Sequence, residues 1–95
     1  MRLEKEKVDF FRAEIGKYLR DFKLYLFGSR ADDTKKGGDI DLLILSDSPL
    51  SRQDKRSIKI AFYNRFGEQK LDLVYFRFDD PAPFKELALM EGVEL

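Results

Sequence analysis

The chain has 95 residues, which leaves room for one domain and one modest hydrophobic core. Cysteine and histidine are both absent, which excludes disulfides, thiolate or imidazole metal sites, cysteine nucleophiles and every histidine-dependent triad. Eighteen basic residues balance eighteen acidic ones, so the chain as a whole lacks the basic excess of a nucleic-acid binder.

Any metal must therefore be held by oxygen, which points to magnesium, manganese or calcium. No apolar run is long enough to span a membrane, and the charged N-terminus does not resemble an export signal. Together with the missing cysteines, this leads us to expect a cytoplasmic protein. The balanced total hides an uneven distribution. Residues 38–50 carry three acids and no base, residues 51–70 have a net charge of +4, and residues 71–95 have a net charge of −4.

In chain order, apolar residues Leu3, Val8, Phe11, Ile15, Tyr18, Leu19 and Phe22 recur at helical spacing and predict a helix over residues 3–22. Gly16 weakens that helix without having to end it. Residues 23–27 predict a strand that runs into Gly28-Ser29, followed over residues 30–38 by a short turn or one helical turn and then a loop. Residues 39–45 predict a second strand, central and covered on both faces. Ser51 and Asp54 have the spacing of a capping box variant, and Ile58, Ala61, Phe62 and Phe66 supply the stripe of a helix that stops at Gly67. Residues 70–76 predict a third strand, and residues 83–91 a last short helix ending at Gly92. The expected fold class is α/β (α+β), one domain over residues 1–95, with a small mixed sheet of about three strands packed with helices. Phe11, Phe62, Phe66 and Phe84 are expected in its core, and Asp79-Asp80 at a helix cap.

Two positions apart on a strand, Asp39 and Asp41 share one face and lie about 6.6–6.8 Å apart along the backbone. Asp72 joins them if the second and third strands are neighbours. Carboxylates inside very apolar segments repel one another unless cations neutralise them, and magnesium suits carboxylate oxygens and substrate phosphates. Gly28 permits close backbone approach to a ligand, and the Ser29 hydroxyl with nearby N–H groups can hold phosphate oxygens. Arg30, Lys35 and Lys36 are candidates to balance phosphate charge. Each feature has a plainer explanation: Gly-Ser as a turn, Asp-x-Asp as a solvated face, Arg30 paired with Asp32 or Asp33, and the lysines as loop solvation. Three acids within two of the most apolar segments weigh against those plainer explanations.

The run Leu26-Phe27-Gly28-Ser29-Arg30-Ala31, a nine-residue spacer from Arg30 to Gly38, Asp39-Ile40-Asp41-Leu42 and the later Leu71-Asp72-Leu73 resemble the signature of the DNA polymerase beta-like nucleotidyltransferase superfamily. The small size resembles its minimal nucleotidyltransferase (MNT) subgroup, whose members are often antitoxins paired with HEPN-domain toxins. The resemblance implies AMP transfer from ATP to a hydroxyl of the HEPN partner, typically a tyrosine, which silences a ribonuclease. It further implies that Gly28, Ser29 and Arg30 hold the nucleotide. Asp39, Asp41 and Asp72 would be both catalytic residues and ligands of a pair of magnesium ions, with Asp72 serving the acceptor hydroxyl. Two other functions remain open: a silent docking module, or transfer to a small molecule or an RNA end. The chain shows no room for a separate acceptor domain, so a protein partner or an oligomer that completes the site is expected, with nucleic acid and membrane not expected as direct ligands.

Overall fold

The computed structural model describes residues 3–28 and 38–95. The elements are α1 (Lys5–Ile15), β1 (Phe22–Phe27), β2 (Ile40–Ser46), α2 (Arg52–Phe66), β3 (Leu71–Phe76), α3 (Pro83–Glu91) and β4 (Val93–Glu94). The sheet order is β3-β2-β1-β4. β1 runs antiparallel to both β2 and β4, whereas β2 and β3 are parallel and are connected through α2.

Alternation along the strands sorts the core into two faces. Ile40, Leu42 and Ile44 of β2, with Leu24, Leu26, Leu71 and Leu73, meet Phe10, Phe11 and Ile15 of α1 and Ile58 and Phe62 of α2. The rings of Phe11 and Phe62 stack with centroids 5.2 Å apart. On the other face, Leu43 and Leu45 pack with Tyr25, Phe27, Val74 and Phe76 beneath Ala88 and Leu89 of α3. The second strand is thus central and covered on both faces, as its unbroken apolar run requires.

Ser51 and Asp54 form the expected capping box: the Ser51 hydroxyl accepts from the Asp54 N–H at 3.0 Å, and the Asp54 carboxylate accepts from the Ser51 N–H at 3.3 Å. Gly67 closes α2 with φ +93°, a conformation that favours glycine. At the start of α3, the Asp80 carboxylate accepts from the Ala82 N–H at 2.9 Å. The helix itself has Ala82 at its N-cap and no side-chain cap, so Asp80 shapes the preceding turn and does not cap the helix. Lys85, buried at the base of α3, donates to the carbonyls of Phe78 and Asp80 and ties that turn to the helix.

Besides that cap, three further expectations are corrected. The first helix ends at Ile15 with Gly16 at its C-cap, and Phe22 already belongs to β1. Leu19 keeps its place in the core from the connecting turn, which is why the apolar spacing ran past the helix end. Among the described residues the sheet has four strands, because Val93 and Glu94 pair with Leu26 and Tyr25. Phe84 is not enclosed in the core: it is 49% exposed, with its ring 5.8 Å from Phe27 and 6.0 Å from Phe76, because one short helix covers only part of this face.

Candidate active site

The strand register brings the acidic residues together. In the parallel pair Asp41 stands opposite Asp72, and in the antiparallel pair Asp41 stands opposite Phe27, the last residue of β1. Asp41 and Asp72 therefore share the sheet face that carries α3, at the end of the sheet where β1 finishes and β2 and β3 begin. Asp39 precedes β2 by one residue and falls on the same face by alternation.

The electrostatics record the crowding. Burial, a hydrogen bond with the Asp72 carboxyl and the charges of Asp72 and Asp39 all push the Asp41 carboxyl above its ordinary value, and Lys70 pulls it back. The Lys70 ammonium lies 3.7 Å from the Asp39 carboxylate, with both side chains largely exposed. The start of β3 is joined to the start of β2 by the Ile40 N–H donating to the Lys70 carbonyl at 3.0 Å, and the Gln69 side-chain amide donates to the Gly38 carbonyl. Lys70 and Gln69 are site residues that the motif reading missed. Lys70 stands two positions before Asp72, so the same alternation that grouped the acids would have placed it beside them.

Gly28 follows β1 directly and has φ +72°. A Cβ at this position would run into the Asp41 carboxylate. Glycine is needed here twice over, for its backbone conformation and for the space that the carboxylate takes. Of the expected phosphate-binding residues, Ser29, Arg30, Lys35 and Lys36 lie outside the described residues.

Among the described residues no three acidic side chains converge into a ready-made metal cage. Asp41 and Asp72 are in contact, and Asp39 is turned to Lys70. The donor set nevertheless fits a divalent cation: two carboxyls in contact with a third charge nearby, all oxygen, and a single lysine as local counter-charge.

Residues 6–93 match the family model described as "Nucleotidyltransferase domain". The chain belongs to the nucleotidyltransferase domain family. Comparison with curated proteins gives no match. Among solved structures, the chain is similar to a mutant of the toxin–antitoxin complex MntA–HpeT, at 21% identity and a TM-score of 0.69, covering 99% of this chain and 72% of that one. It is also similar to a structure from Shewanella oneidensis, at 18% identity and a TM-score of 0.61, covering 97% of this chain and 71% of that one. These likenesses establish the polymerase beta-like nucleotidyltransferase fold. In this nucleotidyltransferase domain, the signature glycine and two of the three signature acids occupy adjoining strand ends. No helix among the described residues is long and apolar enough to cross a membrane.

Proposed function

We propose that the protein transfers AMP from ATP to a hydroxyl of a partner protein in a magnesium-dependent reaction, and that it is an antitoxin that silences a HEPN ribonuclease toxin in this way. The observation that carries the reading is the contact between Asp41 and Asp72 beneath the Gly28 turn. Set beside Asp72 by the strand register, the Asp41 carboxyl is pushed above its ordinary value by burial and by Asp72, an arrangement that is poor for stability and well suited to hold cations. The toxin–antitoxin pairing of the MntA–HpeT neighbour supports the choice of a protein partner.

In this reading, Gly28 lets the backbone after β1 approach the nucleotide phosphates, with Ser29 and Arg30 beside it. Asp39, Asp41 and Asp72 would hold the metal, which would stabilise charge on the hydroxyl oxygen that attacks the α-phosphorus and on the pyrophosphate oxygen that leaves it. Asp72 faces the acceptor and takes the proton of its hydroxyl. With no histidine or cysteine in the chain, an aspartate is the base available. A tyrosine acceptor, with a pKa of about 10, is easier to deprotonate than an aliphatic alcohol.

The test is the intact mass of the protein encoded by the adjacent gene, incubated with this chain and magnesium-ATP. Increments of one or more AMP, absent without ATP and absent with Asp41→Asn, are expected. A stable complex with unchanged mass would replace the proposal with a docking module. Modification of an added RNA or small alcohol in place of the protein would move the acceptor to that class.

A further inference from the structure

A second feature lies across the sheet from the acidic residues. A groove of about 910 Å³ runs beside α2, lined by Arg52, Lys55, Arg56, Lys59, Ile60 and, from the sheet, Leu73. Helical spacing sets the four cations along one side of α2. Among the described residues none of the four is in an ion pair. The single acid of α2, Asp54, is engaged in the capping box. Ile60 is 48% exposed and adds an apolar spot to the same groove.

Among the described residues, β3 is an edge strand with β2 on one side only. The Ile40 N–H donates to the Lys70 carbonyl. The alternation of a parallel ladder then aims the backbone groups of Leu71, Leu73 and Tyr75 away from β2, toward the open edge. Such an edge is a template for another extended chain.

We propose that this groove docks an acidic, extended segment of a partner protein, which adds as a strand to the free edge of β3 and pairs its carboxylates with the cations of α2. Charge complementarity and the unpaired strand edge together select this occupant. Nucleic acid would use the cations but not the backbone edge, and no aromatic side chain lines the groove to stack a base. A second copy of the chain would bring a second set of the same four cations to the seam, which opposes self-pairing. The site is separate from the carboxylates, so the inference does not depend on the proposed transfer reaction.

The probe is a fluorescent peptide of about eight residues alternating glutamate and valine, titrated at about 0.1 M salt and followed by anisotropy. Saturable binding is expected. It should weaken about tenfold or more in Arg52→Glu/Arg56→Glu, two exposed positions, with unchanged circular dichroism. It should also weaken when alternate amides of the peptide are N-methylated on the edge-facing side, which removes strand addition and leaves the charge. Equal binding of both N-methylated registers would overturn strand addition. No binding of any peptide would overturn the site. So would an oligouridylate that binds more tightly than the peptide and is lost in the same variant, or a chain that sediments as a dimer through this edge.

Discussion

A carboxyl pressed against a second carboxyl, as Asp41 is against Asp72, is harder to ionise in the folded chain than in the unfolded one. In the pH range between its ordinary value and its raised one, the folded state therefore binds more protons than the unfolded state. Stability falls as pH rises through that window, and the loss persists above it. In metal-free buffer, Asp41→Asn should remove this limb of the pH profile and raise the melting temperature at neutral pH, because the amide keeps a hydrogen bond to Asp72 without the charge. Thermal melts over a pH series, with the wild type beside the variant, measure it. Magnesium should raise the wild-type melting temperature and leave Asp41→Asn nearly unchanged; equal shifts in both would remove Asp41 from the metal site. Gly28→Ala forces a side chain into the left-handed region and against the Asp41 carboxylate. The backbone term alone is about 1–2 kcal/mol. Denaturant melts should show at least that loss, together with lost transfer. At this scale the sequence was informative about identity and spacing: an apolar strand with Asp at alternate positions can be read directly. That Asp41 meets Asp72 was conditional on strand order, and Lys70 was overlooked because a lysine at a strand start has no motif.

Local chemistry decides the boundaries of some elements and tertiary packing those of others. The start of α2 is local. Ser51 and Asp54 satisfy each other's backbone donors, and Ser51→Ala should destabilise the protein by about 1 kcal/mol while leaving transfer by the remaining folded protein intact. Urea titration and the transfer assay separate the two effects. The end of α1 is not local. Leu19 and Phe22 continue the apolar spacing of the helix, yet they fill the core from a turn and a strand. Periodicity reports that a side chain is buried, and it is silent on which backbone carries it there. β4 is two residues long, too short for any alternating pattern, and exists only because Val93 and Glu94 find the open side of β1.

Across the molecule the two faces of the sheet are unequally covered. The α1/α2 face gathers the phenylalanine cluster, and the α3 face has one short helix with Phe84, Leu87 and Met90 exposed. Phe62 is fully buried among Phe10, Phe11 and Phe66, so Phe62→Ala should cost about 3–5 kcal/mol of global stability. Native-state hydrogen exchange should find α3 amides opening at lower free energy than those of β1, β2 and α2. Equal protection throughout would mean that the thin layer folds and unfolds with the rest. The types of the longer elements, the central buried strand and the α2 cap are legible in the chain because each depends on residues a few positions apart, and the charge segregation and the family signature are legible because each is a string of short local pieces. The tertiary structure alone decided three further features. One is the strand order that sets Asp41 against Asp72 and Gly28. Another is the partial cover that leaves Phe84 half exposed. The last is the free β3 edge that turns a solvated basic helix into one wall of a groove. Each depends on segments far apart in the chain, whose meeting is selected by the packing of the whole core and leaves no pattern within any one segment.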